Sequence, residues 1–278
     1  SRGANGVLVI NTKRGTVSKP TLGYAFKGSI SKQPSPIPLL NGDQYTTLLL
    51  EEYYNAGRVF SVSESAQQFQ YDPYNTSTYY NFSNNSDWVD AITQLGYFQD
   101  HNVQIRGGGE KARYMGSIGY FNNAGTTKGT SSDRLSARIN LDYIVSERIT
   151  FQSDLSYSHV NTNQNYFKTI RDIAYRKMPN QAIWEYDEYG NLTGNLFTPV
   201  STAQGTYSGT YNPLSMANNG LSNQLGDVLN SRFAVNYKII PNILTLTSNL
   251  SLNINNNKTK TFLPQVATGR PFIENSVN

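Results

Sequence analysis

Hydrophobic and polar residues alternate strictly along one stretch in the middle of the chain, residues 134–160. In its first half every second position is apolar or aromatic, and polar residues fill the gaps: Leu135, Ala137, Ile139, Leu141 and Tyr143 against Ser136, Arg138, Asn140 and Asp142. After the short break VSER, the same alternation starts again at Ile149. Because successive side chains of a strand point to opposite faces, the stretch predicts a β-hairpin with one apolar and one polar face.

The alternation recurs elsewhere, and the chain contains seven stretches that predict half-buried strands. In chain order these are TLGYAFKGSI, HNVQIRG, ARYMGSIGYF, the two halves of residues 134–160, SRFAVNYKI and ILTLTSNLSLNI. Their length, roughly 9 to 12 residues, suits a tilted membrane-spanning strand better than the usual soluble strand of about 5 to 6. A further run, VLVINT at residues 7–12, predicts a buried strand because it is apolar and β-branched.

The connections between the seven strands alternate between long and short. Three are the tight turns GGEK, VSER and IPN, while the others take about 70, about a dozen and about 70 residues. An outer-membrane barrel shows this pattern because its tight turns face the periplasm and its elaborate loops face outside. A soluble sandwich has no comparable reason to keep every second turn tight. Seven strands cannot close a barrel, because the number is odd and the last strand would have an unpaired edge. Further strands are therefore expected beyond residue 278.

Two stretches of the first long connection predict helices. Residues 43–57 place apolar residues at helical spacing between an acidic start and Gly57, which is typical of a helix and its C-terminal end. The stretch DWVDAI, which begins at Asp87, predicts a short capped helical turn.

Composition supports an all-β chain. Of the 278 residues, 37% are hydrophobic and 15% charged, and 20 are Tyr. Strands favour Tyr, Thr and Val and turns favour Asn and Gly, whereas helical enzymes are rich in Ala, Leu, Glu and Lys. The charged residues behind the net charge of +4 are dispersed along the sequence, so no stripe for a nucleic-acid backbone is expected. The absence of cysteine excludes disulfides and thiolate-ligated metals.

An ordered set of motifs resembles the SusC/RagA type of TonB-dependent outer-membrane transporters of Bacteroidota. SRGANGVLVINTKRG, at residues 1–15, resembles the end of the family's plug domain. DWVDAI, the stretch from His101 to Asp142, RKMPNQAIWEYDEYGN from Arg176 and YNPLSMAN from Tyr211 then follow in the family's order. No single motif is decisive, but the ordered set is highly specific and covers essentially the whole chain.

The resemblance implies an all-β fold: part of a large antiparallel transmembrane β-barrel, about 22 strands when complete, preceded by the last strand of the plug domain. Residues 1–19 would be the C-terminal end of the plug, and residues 20–278 the first portion of the barrel. Long extracellular loops are expected near residues 31–100, 122–133 and 161–230. The chain would then be a fragment of a much longer protein.

The resemblance also implies a localisation, an activity and partners. Family members import oligosaccharides, or peptides in some cases, across the cell outer membrane of Gram-negative bacteria, with no covalent chemistry and no cofactor. The TonB-ExbB-ExbD complex supplies the energy through a segment that is not in this chain. A SusD-like surface lipoprotein covers the extracellular loops as a lid, and the outward side of the barrel contacts outer-membrane lipid.

Aromatic residues in the long loops are the candidates for substrate contact, because sugars stack their apolar faces on aromatic rings. Trp184 and Tyr186, in the loop after the fifth strand, are predicted as substrate-binding residues; packing within the loop or against the lid is the alternative role for both. No catalytic residue and no metal ligand is predicted. His101 and His159 lie at strand ends and are interpreted as solvated or membrane-interface residues, and residues 186–191, YDEYGN, as a hairpin tip.

Two other functions fit part of the pattern. A secreted glycan-binding or structural β-sandwich shares the composition and the alternation, but it requires the apolar faces of two sheets to pack on each other. A β-rich glycosidase requires a pair of carboxylates at a defined separation, which the sequence does not establish. What covers the apolar face of the strands therefore separates the transporter from the sandwich.

Overall fold

The computed structural model describes residues 14–57, 76–165, 170–198, 211–264, 267 and 274–277. Its strands are β1 Ser18–Ser31, β2 Gly96–Gly108, β3 Ala112–Ala124, β4 Thr130–Ile144, β5 Ile149–Gln164, β6 Trp184–Tyr186, β7 Leu192–Leu196, β8 Leu221–Ile240, β9 Leu244–Leu263 and β10 Glu274–Val277. Eight of them form one sheet in the order β1-β2-β3-β4-β5-β8-β9-β10, and β6 pairs with β7. Every neighbouring pair in the large sheet is antiparallel, which confirms the all-β fold class.

All seven predicted strands are present, but they are longer than predicted. β2 has 13 residues, and β8 and β9 have 20 each. The difference arises because backbone pairing continues where the apolar alternation stops: β9 pairs with β8 as far as Phe262, although Asn255 to Thr261 offer no apolar side chain. Alternation in the sequence therefore marks only the part of a strand that has an apolar face.

The tight turns and the longer connections lie at opposite ends of the strands. The turns after β2, β4 and β8 take residues 109–111, 145–148 and 241–243, as predicted. In the last of them Asn242 has a φ of 65°, a left-handed conformation that Asn tolerates. The predicted strand VLVINT lies outside the described residues, and the boundary of the plug at residue 19 stays a prediction.

The connections at the other end of the strands contain short helices. In the described residues these are α1 Gly42–Asn55, α2 Thr76–Phe82, α3 Trp88–Ala91, α4 Ile170–Arg176 and α5 Pro213–Asn219. The helices α1 and α3 were predicted, and their caps are side chains: Asn41 and Gln44 form a capping box for α1, and Asp87 accepts from the backbone of Asp90 in α3. In the described part of the chain, every helix is too short or too polar to cross a membrane.

The buried apolar core lies among these connections rather than on the sheet. Its main cluster joins α3, α4 and α5 to the end of β9, and includes Trp88, Ile92, Ile170, Ile173, Met216 and Leu263. A second cluster consists of Phe82, Ala182 and Phe197, whose two phenyl rings pack edge to face with centroids 5.5 Å apart. The longer connections thus form a small packed unit at one end of the strands.

The large apolar side chains of the sheet, by contrast, are exposed and share one face. Directly opposed residues of antiparallel strands point to the same side, so the register defines an apolar face that runs from β1 to β9. Its members include Leu22, Tyr24, Phe26, Val103, Ile105, Ile118, Tyr120, Leu135, Ile139, Leu155, Val235, Leu246, Leu250, Leu252 and Ile254. Leu22 is 76% exposed and Ile139 57%. Among the described residues no second sheet covers this face, which is contrary to the sandwich interpretation.

Candidate functional site

The opposite face of the sheet, the polar face, collects basic side chains. Strand alternation places seven of them there, and Arg14 reaches the same face from the segment before β1: Arg14, Lys27, Arg106, Arg113, Arg134, Arg138, Arg232 and Lys238. The acidic residues of the polar face are Asp100, Asp142 and Asp154. Residues that are dispersed in the sequence are therefore gathered on one surface, because period-two alternation assigns each of them to the same side.

Arg14 fixes the segment that precedes β1 to the polar face. Its guanidinium contacts Asp142 Oδ1 at 2.5 Å and Asp154 Oδ2 at 3.0 Å, which belong to β4 and β5. The next residue, Gly15, passes so close to β3 that a Cβ atom would lie 2.4 Å from the backbone nitrogen of Tyr114. Only glycine permits this approach, so an ion pair and a backbone contact together hold this segment against the sheet.

A polar cavity of about 500 Å³ opens beside Arg14. Its polar lining consists of Arg14, Arg138, Asn140, Asp154, Ser156, Asn230, Ser231, Arg232 and Ser251. Arg232 donates one hydrogen bond, to Asn249 Oδ1 at 3.1 Å. Arg138 is exposed and makes no hydrogen bond or ion pair with any described residue. The cavity therefore presents guanidinium N–H donors that make no hydrogen bond with the described residues.

A second cavity, of about 340 Å³, lies on the polar face nearer to the long connections. Lys27, Asp100, Phe121 and Arg134 occupy one row of the register and all line it. The Arg134 guanidinium lies over the Phe121 ring, 5.1 Å from its centroid, as a cation–π pair. The cavity thus combines an aromatic surface with two cations.

On the apolar face, one row of the register marks where apolar residues give way to polar ones. The row consists of Phe26, His101, Tyr120, Leu135, His159 and Asp227. His101 Nδ1 lies 2.8 Å from the Tyr24 hydroxyl, and His159 Nδ1 lies 2.8 Å from Asp227 Oδ1. The next row towards the connections is mostly polar, with Gln99, Asn122, Asp133, Asn161 and Lys258 beside one apolar residue, Leu225. Both histidines therefore lie at the edge of the apolar face, in agreement with their interpretation as interface residues.

The apolar face has the height of a lipid-facing band. In β9 its side chains run from Leu244 to Ile254, about ten residues, which is about 33 Å of strand. A strand tilt of about 40° reduces this length to a height of about 25 Å, the value typical of the apolar band of outer-membrane barrels.

Trp184 and Tyr186, the predicted substrate-binding residues, lie in β6, away from both cavities of the polar face. Trp184 is 45% exposed. Tyr186 is half-buried and packs against the cluster of Phe82, Ala182 and Phe197. Asn81 holds the backbone of Tyr186 from both sides, because its Oδ1 accepts from Tyr186 N and its Nδ2 donates to Tyr186 O, each at 2.8 Å. The two rings therefore have different surroundings.

The stretch YDEYGN forms the tip of the β6–β7 hairpin, as predicted. Asp187 Oδ1 accepts from the backbone nitrogens of Asn191 at 2.8 Å and Tyr189 at 2.9 Å, and Gly190 takes a φ of 81°. These hydrogen bonds, above all that from the Asn191 backbone, hold the pKa of the Asp187 carboxyl below its ordinary value. Within the described ranges no group of three or more His, Asp or Glu side chains is placed to hold a metal ion.

Lys177 is buried in the packed connections, next to Trp88. Its Nζ lies 5.5 Å from the centroid of the Trp88 ring, and the indole nitrogen of Trp88 donates to Met178 O at 2.9 Å. Burial lowers the pKa of Lys177 to about 7, because a charged ammonium loses its hydration there. Trp88 is itself part of the core, so its ring packs inside the connections.

Sequence reasoning did not identify the basic residues of the polar face as candidates. Arg138 and Arg232 stand in the polar phase of strands that were predicted correctly, so the alternation itself contained the signal. The contact of Arg14 with Asp142 and Asp154 joins residues more than a hundred positions apart, and no local pattern indicates it.

Comparison with known proteins shows that the chain is similar to TonB-dependent receptors. It is 25% identical over 272 residues to TonB-dependent receptor P39 of Formosa agariphila, covering 95% of this chain and 23% of that protein. It is 26% identical over 211 residues to TonB-dependent receptor SusC of Bacteroides thetaiotaomicron, covering 74% of this chain and 19% of that protein. The chain therefore spans about a fifth of the length of these curated relatives. No protein-family profile matches it.

The fold agrees with these relatives. A solved structure of the RagAB peptide transporter matches 93% of this chain and 31% of the matched chain, with a TM-score of 0.67 and 17% sequence identity. At this identity the structural match shows the fold. The sequence similarity to TonB-dependent receptors comes from the curated relatives. In sequence and in fold, the chain is therefore similar to part of a TonB-dependent receptor of the SusC/RagA type.

Proposed function

We propose that the complete protein imports an oligosaccharide across the bacterial outer membrane by TonB-dependent active transport, without covalent chemistry. The observation that carries the proposal is the sheet with two unlike faces: apolar and exposed on one side, polar and basic on the other. An exposed apolar surface of this extent is unfavourable in water, and it suits the outward side of a membrane barrel. The polar face then lines the transport path.

In this proposal residues 1–19 are the C-terminal end of the plug and residues 20–278 the first portion of the barrel wall. The contact of Arg14 with Asp142 and Asp154 supports the assignment, because it attaches the segment before β1 to the lumen side of the wall. The three tight turns face the periplasm, and the helical connections form extracellular loops. TonB-ExbB-ExbD acts through a segment outside this chain, and a SusD-like lipoprotein closes the loops as a lid.

Two substrate classes follow from the resemblance to the family, oligosaccharides and, in some members, peptides. SusC is among the named relatives, and the matched RagAB structure is described as a peptide transporter. We place the oligosaccharide first because hydroxyl and amide side chains line the larger cavity of the polar face beside the charged ones, and these groups bind sugar hydroxyls. Trp184 is proposed as a stacking surface for a sugar ring, since it is exposed, with Tyr186 as a neighbouring contact.

The first experiment is fractionation of native cells. Outer membrane is separated from soluble material, and each fraction is searched by mass spectrometry for peptides from residues 134–160. Recovery in the outer membrane is expected. Recovery only as a soluble protein would mean that protein covers the apolar face, and the transporter proposal would be wrong. Uptake of labelled oligosaccharides in cells with and without TonB then tests the activity.

A further inference from the structure

The polar face has a stronger charge than the whole chain suggests. The net charge of the sequence is +4, yet the polar face has eight basic residues against three acidic ones. Arg14 already pairs with Asp142 and Asp154. Besides these three residues, the polar face has seven basic residues and one carboxylate, Asp100. We call this basic surface the wall. A concave surface lined by one sign of charge concentrates ligands of the opposite sign.

The larger cavity of the polar face can recognise an oxyanion. Arg138 and Arg232 come from β4 and β8, two strands apart and offset by one row of the register, so they approach the cavity from two sides. A guanidinium binds carboxylate or sulfate groups with two parallel hydrogen bonds. The same cavity offers Asn230, Ser156 and Ser251, whose amide and hydroxyl groups suit sugar hydroxyls. Charge and hydroxyl recognition therefore occur in one place.

The smaller cavity repeats the combination with an aromatic ring. Lys27 and Arg134 supply positive charge, Phe121 supplies a flat apolar surface, and Asn102 and Ser136 supply hydrogen-bonding groups. The Arg134 guanidinium, which lies over the Phe121 ring, can bind an acidic substituent while Asn102 and Ser136 bind the hydroxyl groups of the same sugar. Two similar sites at different heights of one wall suit a linear chain of acidic sugars.

Arg14 does not neutralise the polar face. It adds another cation and pairs with two of the three carboxylates of that face, Asp142 and Asp154.

We propose that the polar face is a binding wall for an anionic oligosaccharide whose sugars carry carboxylate or sulfate groups, with Arg138 and Arg232 as the residues that bind the charged substituent. This inference rests on the proposed transport function. It adds a substrate class to that function, and it assigns specificity to the lumen wall rather than to the loops alone.

The test is TonB-dependent uptake by cells that produce the full-length protein with its lipoprotein. The probes are labelled oligogalacturonate and its neutral methyl ester, and a sulfated oligogalactan and its desulfated form. At least one acidic probe is expected to enter about ten-fold faster than its neutral counterpart, with a preference that weakens at high salt. Which acidic probe enters distinguishes carboxylate from sulfate.

Variants locate the effect. Arg138→Gln and Arg232→Gln are each expected to slow uptake of the acidic probe about ten-fold and to leave the neutral probe within about two-fold. Arg148→Gln, which removes the same charge from the turn at residues 145–148, is the matched control and should change neither rate. Arg138→Lys, which keeps the charge, should retain most of the uptake.

The possible failures are distinguishable. TonB-dependent uptake of neutral and acidic probes at equal rates would overturn the inference and leave the transport function intact. Uptake that does not depend on TonB, or no uptake of any probe, would overturn both. Tetraglutamate that competes as well as the unlabelled acidic sugar would overturn the assignment to an oligosaccharide. A wall whose cations only hold the plug would show equal effects of Arg138→Gln on both probes.

Discussion

The sheet and the connections between its strands treat apolar side chains in opposite ways. In the connections Trp88, Ile92 and Ile170 are buried, and they form a core like that of a small soluble domain. In the sheet large apolar side chains are exposed, and Leu22 and Ile139 are more than half exposed. One solvent cannot favour both arrangements, because water stabilises the first and penalises the second. The packed connections therefore suit water, and the apolar face of the sheet suits an apolar solvent.

Cavity-forming substitutions should affect the two regions very differently. Ile170→Ala removes a fully buried side chain from the packed connections and is expected to cost about 2–5 kcal/mol of their stability. Leu250→Ala shortens an exposed side chain of the apolar face and leaves no cavity in the protein. Limited proteolysis of the connections should accelerate strongly in the first variant and hardly in the second. Equal effects would mean that the connections have no core of their own.

A charge on the apolar face tests what covers that face. Ile139→Lys places an ammonium near the middle of the band and is expected to cost about 2–4 kcal/mol if the surroundings are lipid. Ser136→Lys puts the same charge on the polar face of the same strand, where water is available, and should be tolerated. The amount of folded, heat-modifiable protein in outer membranes is the measurement. If Ile139→Lys assembles as well as Ser136→Lys, the contrast between the two regions is wrong.

The sequence was sufficient for the sheet because strand faces follow from a local rule. Residues two apart point to the same side, so the alternation around Ile139 predicted the hairpin and both of its faces before any long-range contact was known. The same rule could have assigned Arg138 to the polar face. It underestimated strand length, since pairing beyond Ile254 in β9 involves polar residues on both faces. The periodic signal ends there, although the hydrogen bonds continue.

The packed connections were less predictable because their structure depends on distant partners. The helices α1 and α3 were found through their caps, which are local signals. The helices α4 and α5 have seven residues each, too short to be stable alone, and both pack in the cluster around Ile170 and Met216. The start of α5 also has a local signal, the N-cap Asn212 followed by Pro213, which the sequence analysis did not use. The burial of Lys177 is a consequence of the same packing, and no feature of its own sequence indicates it.

Lys177 makes the stability of the connections depend on pH. Its folded pKa of about 7 lies below the ordinary value of 10.5, so between these values the unfolded state binds the proton and the folded state does not. Stability therefore rises as pH increases from about 7 to about 10, and below pH 7 the cost is constant and fully present. Lys177→Met should stabilise the connections at pH 7, on the order of a few kcal/mol, and the gain should shrink towards pH 10.

Thermal unfolding of the connections at pH 7, 8.5 and 10 measures this difference between Lys177→Met and the wild type. Arg176→Met, which removes an exposed charge from the neighbouring position, is the matched control and should give a difference that does not vary with pH. A gain from Lys177→Met that stays constant across the range would mean that burial does not lower the pKa of Lys177.

The smallest expected effect concerns the two aromatic residues of β6, which differ in burial although they are two positions apart. Trp184→Ala removes an exposed ring and should weaken oligosaccharide binding about 2- to 10-fold, the worth of one stacking contact, with little change in stability. Tyr186→Ala should act mainly on the hairpin, because its ring packs on Phe82 and Phe197. Tyr189→Ala, at the exposed hairpin tip, is the matched control for binding measured by calorimetry. If the double change at Trp184 and Tyr186 leaves affinity untouched, neither residue contacts substrate, and recognition belongs to the polar face of the sheet.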